Sequence, residues 1–423
     1  MRSTFAALAV RNYRLFAGGS LVSNVGTWMQ RVAQDWLVLT LTGSAGALGI
    51  TTGLQFLPLL LFSPIAGIVA DRYSKRKVLV VTQVVLAVTA GTLGLLAVTG
   101  LVAVWHVYVL AFVFGAAAAF DVPARQAFVN EMVGPDQLAN AVGLNSASFN
   151  LGRVIGPAVA GGLIAWLGSG VVATGWVILV NAASYLAVIV SLTRMYGDEL
   201  TPAVPVPRAR GQLRDGLRYV RARPDIMLVM AVVFCAGTFG LNFQMTTALM
   251  ATEVYGKGAG EYGVLGSVLA IGSLGGSLLA ARRAQSRQRL VVGSALAFGF
   301  AVILAGTMPT YLTFAVVLPV CGFTALTMIT AANAFVQMST VPQMRGRVMA
   351  LYMAIFMGGT PAGAPALGWV AEQFGARWTL IGGGLLTVAG TAVAAMAFAH
   401  VQHVDLSPRV LFAGVGPAGQ REL

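Results

Sequence analysis

An all-α polytopic membrane protein is the fold class this sequence predicts, with 12 transmembrane helices in two six-helix bundles around a central cavity. Three observations predict it. Twelve apolar stretches of spanning length recur along the 423 residues. The composition is 57% hydrophobic and 10% charged, with a mean hydropathy of +0.80, far from the usual range of a water-soluble domain, so a bilayer is the solvent. Finally, the connecting loops carry positive charge on alternate sides.

A spanning helix needs about 20 mostly apolar residues. That criterion places spans near 15–40, 46–70, 77–99, 104–124, 139–166, 173–195, 226–252, 262–281, 289–308, 311–337, 347–373 and 377–399. Of the 27 Lys and Arg, 18 lie in or beside the five loops on the starting side and five lie in the two tails. Only Lys257 and Arg377 fall opposite, and Arg31 and Arg153 sit inside spans. Basic residues resist translocation, so both termini are expected in the cytoplasm and the chain in the cell (plasma or inner) membrane. The net charge of +13 is divided among short loops and forms no continuous basic face, which argues against nucleic acid as a partner.

Met1 to Ala9 contains Ala7-Leu8-Ala9, which resembles a signal-peptidase site. The apolar run before it is short and Arg11 and Arg14 follow, so an uncleaved cytoplasmic segment is expected. In span 1, Ser20, Asn24, Thr27, Trp28, Arg31, Gln34 and Asp35 share one broad side, opposite Leu21, Val22, Val25, Met29 and Val32. That side is expected to face the cavity. Intramembrane charge is costly and requires a partner or water. Asp35, the one carboxylate expected well inside a span, follows Arg31 by one turn. Burial favours the neutral acid and a guanidinium favours the anion, so Asp35 and Arg31 form the candidate proton-coupling pair. A static i, i+4 ion pair is the alternative.

The loop after span 2 reads Gly67-Ile68-Val69-Ala70-Asp71-Arg72-Tyr73-Ser74-Lys75-Arg76-Lys77. Gly67 allows close helix packing and Asp71 can face the positive end of a helix. For Lys75 or Arg76 the expected partner is Asp121, near the inner end of span 4. Span 5 carries Gly143, Gly152, Gly156-Pro157 and Ala160-Gly161, a smooth packing face whose proline permits bending. Arg153 shares a side with Ser146, Phe149, Asn150 and Pro157. It either contacts an anionic or polar cargo or binds Asp121 or Asp35 to hold the first bundle together, and the adjacent Gly-Pro packing favours the second.

Residues 1–195 thus form a first bundle, 196–224 a cytoplasmic linker, 225–399 a second bundle and 400–423 a cytoplasmic tail expected to be disordered. In the linker, Pro202, Pro205 and Pro207 break any helix. Leu213, Leu217 and Val220 then fall at helical spacing beside Arg214, Arg218 and Arg221, which suits either a basic amphipathic helix on the membrane surface or a solvated linker. In the second bundle, Thr238, Asn242 and Thr246 at i, i+4, i+8, with Phe239 and Met245 nearby, and Thr324, Thr327, Met328 and Ala331 are cavity candidates, or helix-packing residues. Span 11 has Gly358-Gly359-Thr360-Pro361-Ala362-Gly363 where span 5 has its Gly-Pro run. Cys235 and Cys321 are both expected mid-membrane, with neither disulfide nor metal spacing.

The residues around Asp71 resemble the major facilitator superfamily signature Gly-x-x-x-Asp-Arg-x-Gly-Arg-Arg, with Ser74 and Lys75 as departures. In that superfamily the loop latches one conformation, which implies a latch role for Gly67, Asp71, Arg72, Lys75, Arg76 and Asp121. The span 5 run resembles the drug-antiporter motif of the superfamily, with Ala160 in place of one Gly, and implies efflux. Phe120-Asp121-Val122-Pro123-Ala124-Arg125, Asn145 to Arg153 and Trp28-Met29-Gln30-Arg31 resemble the branch containing enterobactin exporters and macrolide-type efflux proteins. Gly276 and Arg282-Arg283 repeat the latch loop weakly, with Ala280 where the Asp would stand. Many proton antiporters of the superfamily carry an Arg in span 4, whereas Ala111 and Phe114 precede Gly115 here, so another ionisable group has to couple the proton.

The resemblance implies a secondary active exporter of a small, partly apolar drug, siderophore or metabolite, working by alternating access as a monomer in lipid with protons as the coupling ion. Asn24, Trp28, Gln34, Asn150, Arg153, Thr238, Asn242 and Thr324 are its candidate cavity residues. A proton-coupled uptake symporter and a transport-inactive sensor or scaffold are the alternatives. No phosphate-cradling loop with Lys-Ser or Lys-Thr occurs, and no cluster of catalytic acids, His or Cys, so neither ATP nor enzymatic chemistry is expected. His400 and His403 stand alone, and no cofactor or metal is expected.

Overall fold

The computed structural model describes residues 5–201, 212–281 and 288–402, which form helices and short connections with no strand among the described residues. The first bundle comprises α1 (Arg11–Thr42), α2 (Ala45–Arg72), α3 (Lys75–Val98), α4 (Val104–Met132), α5 (Pro135–Trp166) and α6 (Val171–Thr193). A linker helix, α7 (Gln212–Arg221), comes next. The second bundle holds α8 (Pro224–Cys235), α9 (Phe243–Leu249), α10 (Ala259–Ala281), α11 (Gln288–Thr307), α12 (Tyr311–Ser339), α13 (Pro342–Gly358), α14 (Thr360–Phe374) and α15 (Ala376–Gln402).

Among the described residues, ten segments are long and apolar enough to cross a membrane, counting residues 224–254 and 342–374 as one each. Helices α1 and α5 have 32 residues apiece but are too polar to pass on composition. Their packing supplies what composition does not: α1 lies against α5 and α6, while α3 packs on α6 and α2 on α4. In the second bundle α10 packs on α12, and α11 on α12 and α15. Local signals set the ends. Gly43 stops α1 at φ +60, Ser44 caps α2 by accepting the Ala47 N–H, and prolines open α5, α8 and α13 where no amide partner is needed.

Span 7 departs from the straight helix expected of it. Two π turns, Ala236–Gly240 and Met250–Val254, interrupt it, and each extra residue rotates the rest of the helix about its axis. Thr238, Asn242 and Thr246 therefore do not share one face. Span 11 breaks at Gly359, between α13 and α14, and the two breaks meet: a Cβ on Gly363 would lie 2.0 Å from the Thr238 carbonyl oxygen. The small residues of span 11 are there for that approach.

The bundles touch most extensively through two helix pairs, α2 with α14 and α5 with α10, in the half of the molecule away from the basic loops. Glycines make these crossings close. A Cβ would come within 2.5 Å of the Ala364 carbonyl oxygen from Gly49, 2.5 Å of the Ala259 oxygen from Gly161 and 2.3 Å of the Pro157 oxygen from Gly263. Ser267 on α10 donates to the Val154 carbonyl at 2.6 Å and accepts the Ala158 N–H at 3.1 Å, so a side chain of one bundle enters the hydrogen-bond ladder of the other beside Pro157. At the rim, Glu372 accepts the Gly46 N–H at 3.0 Å and the Ser44 hydroxyl.

The span 5 glycines thus divide their work. Gly152 and Gly156 pack on α1, against Asn24 and Trp28, whereas Pro157 and Gly161 meet α10 of the other bundle. A Cβ on Gly143 would have open space around it, with nothing within 4 Å, which corrects its expected packing role. The expected linker helix is α7, and it docks on α13: Gly216 lies against Arg347, and Asp215 pairs with Arg347 at 3.3 Å. Val220 is buried and Leu217 exposed. Ala7 is buried, and its N–H donates to Asn140 of α5. The Pro202 to Pro207 run, Arg282-Arg283, His403 and the tail from that residue on lie outside the described residues.

Candidate functional site

The latch loop finds a different carboxylate from the one expected. Lys75, the first residue of α3, pairs with Glu131 at 2.8 Å, and both side chains are under 10% exposed. Arg76 donates to the Leu192 and Thr193 carbonyls at the end of α6. The reason is depth. Asp121 stands ten residues before Glu131 on α4, about 15 Å along the axis at 1.5 Å per residue, which is level with Thr82 and Gln83 rather than with Lys75. It accepts hydrogen bonds from both at 2.8 Å and from Arg125 at 2.9 Å, and Arg125 donates onward to Ser20. Asp121 is therefore a second buried intramembrane carboxylate, which corrects the expectation that Asp35 stood alone. Gly67, Asp71 and Arg72 close α2 on the same side.

Removing one partner of a buried ion pair strands the other charge, at about 3–5 kcal/mol. Glu131→Gln is therefore expected to lower the melting temperature of the purified protein clearly. The charge swap Lys75→Glu with Glu131→Lys is expected to recover part of the loss. Equal melting of wild type and Glu131→Gln would remove the pair from the account.

The polar side of α1 serves several neighbours rather than one cavity, because its stripe is wider than any single helix contact. Ser20 meets Arg125 of α4, Asn24 donates to Ser148 of α5 at 3.0 Å, and Thr27 meets Tyr185 of α6 at 3.2 Å. Gln34 is buried. Trp28, Arg31 and Val32 reach the centre.

There the bundles enclose a cavity of about 410 Å³. Trp28, Arg31, Phe56, Phe149 and Arg153 line it from the first bundle, and Asn242, Gln244, Met245, Tyr262 and Phe356 from the second. Arg31 lies 4.8 Å and Arg153 5.6 Å from the Trp28 ring centroid. Of the sequence-derived cavity candidates, Trp28, Arg153 and Asn242 come together here with Arg31. Asn24, Gln34, Asn150, Thr238 and Thr324 stand outside the wall. Asn150 and Thr324 bond to their own helices, at the Ser146 and Val320 carbonyls. Thr238 bonds to the Phe234 carbonyl, and on α12 the neighbouring face, Gly322, Ala325, Leu326 and Ile329, lines the cavity in place of Thr324, Thr327, Met328 and Ala331.

Asp35 forms no static ion pair with Arg31, the alternative weighed for these two residues. It is 2% exposed, and its Oδ2 accepts hydrogen bonds from Gln244 Nε2 and from the Tyr262 hydroxyl, both at 2.8 Å. Both donors belong to the second bundle, so Asp35 ties the halves together beside the cavity. Nor does Arg153 bind Asp35 or Asp121, which corrects the structural role expected of it. Gln244 and Tyr262 escaped notice in the sequence. A lone Gln in the apolar run of span 7 was the one available signal, and nothing local linked it to a residue 209 positions away. Cys235 and Cys321 are free thiols, and no metal-binding cluster occurs among the described residues.

Comparison with known proteins places the chain. A family model described as transmembrane secretion effector matches residues 2–415. The multidrug efflux pump Tap of Mycolicibacterium fortuitum is 30% identical over 87% of this chain and 90% of its own. Macrolide efflux protein A of Streptococcus pyogenes is 23% identical over 88% of this chain and 93% of its own. Among solved structures, a bacterial homologue of the human lysosomal transporter Spinster, in an inward-facing and occupied conformation, superposes with a TM-score of 0.73 at 16% identity, covering 94% of this chain and 99% of that one. At that identity the likeness speaks for the fold.

Proposed function

Since this chain belongs to the transmembrane secretion effector family of major facilitator efflux transporters, we propose that it exports a small, partly apolar molecule from the cytoplasm in exchange for protons. Asp35 carries the proton in this scheme, and the basic end of the molecule faces the cytoplasm. The supporting observation is that one carboxylate bridges the two bundles beside the cavity, on the side where the bundles are joined.

A cargo enters the cavity from the basic end while the glycine crossings and the Glu372 contacts keep the far end shut. Rocking of the bundles parts α2 from α14 and α5 from α10 and opens the far end. Gln244 and Tyr262 then leave Asp35, whose carboxylate meets water on that side and takes a proton. When the bundles close again the two donors return to Oδ2, and the proton leaves toward the basic end. A carboxylate at this depth needs either donors or a proton, and the cycle alternates the two.

Purified protein in proteoliposomes with an imposed pH gradient tests the proposal. A panel of drugs, siderophores and metabolites is expected to contain compounds whose uphill movement requires the gradient and stops when a protonophore collapses it. Movement indifferent to the gradient would overturn proton exchange while leaving the family assignment intact.

A further inference from the structure

The cavity holds an arrangement that export as such does not require. Its charged lining consists, among the described residues, of Arg31 and Arg153 alone. Neither makes a hydrogen bond or ion pair with any described residue: the carboxylates that could serve them are engaged elsewhere, Asp35 with Gln244 and Tyr262, Asp121 with Thr82, Gln83 and Arg125. Arg31 Nε is fully buried with no partner. Two like charges set against one ring repel each other. What holds them is the Trp28 ring, flanked by both, with Phe56 5.7 Å from Arg31. Cation–π contact leaves the N–H edges of a guanidinium free to donate.

Two cations without anions, deep in a membrane protein, are costly unless something completes them. We propose that the cargo completes them: it is an amphiphilic anion whose carboxylate, phosphate or sulfonate group is held between Arg31 and Arg153 and whose apolar or aromatic body lies along Trp28, Phe149, Phe356 and Met245. The fork of donors on each arginine matches such an oxyanion group in geometry as well as charge. Across the cavity, Asn242 is 5% exposed, gives its Nδ2 to the Thr238 carbonyl and leaves Oδ1 without a partner. A hydroxyl or N–H on the far part of the cargo would complete that acceptor. Counting Asp35 as ionised, the three groups sum to +1, and with Asp35 protonated to +2, so the wall attracts an anion in either state and the recognition does not hinge on the proton step.

The inference rests on the export reading only for direction; binding tests it alone. Three probes share one ring and differ in charge: naphthoate, naphthamide and naphthylmethylammonium. Binding to the full-length protein in lipid nanodiscs is expected to be about ten-fold or more tighter for naphthoate than for the amide, one charge-assisted contact being worth at least that factor, with the ammonium weakest. Arg31→Gln and Arg153→Gln are each expected to bring naphthoate close to naphthamide, and monodisperse elution of each variant shows that it is folded. Arg153→Lys is expected to retain most of the preference. Equal binding of the three probes, tighter binding of the ammonium, or an undiminished preference in both Gln variants would overturn the proposal, as would binding of none. Efflux of the same probes from proteoliposomes separates the two claims: naphthoate bound but not moved defeats the export reading alone, and a neutral or cationic probe moved without naphthoate binding defeats this one alone.

Discussion

Asp35→Asn is expected to abolish uphill, gradient-driven transport, by a hundred-fold or about that, while exchange of cargo at equal concentrations on the two sides persists. Asn keeps the size of the side chain and one acceptor oxygen, so the contacts with Gln244 and Tyr262 survive in part, but it cannot take up a proton. The bridge and the proton step are separated by a second pair of variants. Tyr262→Phe and Gln244→Leu each remove one donor at 2.8 Å from Oδ2. Hydrogen bonds between membrane helices average about 0.6 kcal/mol and reach about 1.7, so each variant is expected to slow transport by a few-fold and leave its dependence on the gradient in place. Measurement is by radiolabelled cargo flux in proteoliposomes with and without a pH gradient. Full gradient-driven transport by Asp35→Asn would assign the proton to another group.

Gly263→Leu is expected to produce the second large effect, a shift of the whole conformational balance. The position has 2.3 Å between its would-be Cβ and the Pro157 carbonyl oxygen, and 2.9 Å to the Gly161 Cα. Both neighbours are backbone and cannot swing aside. A leucine there wedges α5 and α10 apart at the crossing that shuts the far end, so the closed arrangement loses favour to one open on that side. Transport is expected to fall at least ten-fold with the protein still folded, since α10 keeps its packing on α12 within its own bundle. Distances between spin labels at the two ends of α5 and α10 would read the shift directly: lengthening at the far end and shortening at the basic end are expected. Unchanged distances, with transport intact, would show that this crossing does not gate.

Much of the fold was legible in the chain because burial in lipid is a local demand. Each apolar stretch meets it by itself, whatever its neighbours, and each cluster of Arg and Lys resists crossing by itself. The two helices that fail on composition, α1 and α5, are the ones whose polar residues face other helices, and their membership became certain only from packing. The cavity was legible in part for a related reason. Trp28, Arg31 and Arg153 are large or charged groups on helices with few such groups, so their mere presence inside a span points to the centre. In the second bundle no charge marked the wall, and π turns rotated span 7 away from its ideal period, so Asn242 lines the cavity while Thr238, Thr246 and Thr324 do not.

By itself the sequence determined that the chain spans a bilayer repeatedly in two halves, which ends bear the basic loops, and that charge enters the membrane at Arg31, Asp35 and Arg153. Only the tertiary structure decided who completes whom: Lys75 with Glu131, Asp35 with Gln244 and with Tyr262, a residue 227 positions distant, and the two arginines with each other's ring partner alone. Hydropathy acts residue by residue against the solvent, so it can be summed along a chain. Pairing depends on depth and helix rotation, and these are set where glycines let backbones touch and where extra turns shift the register.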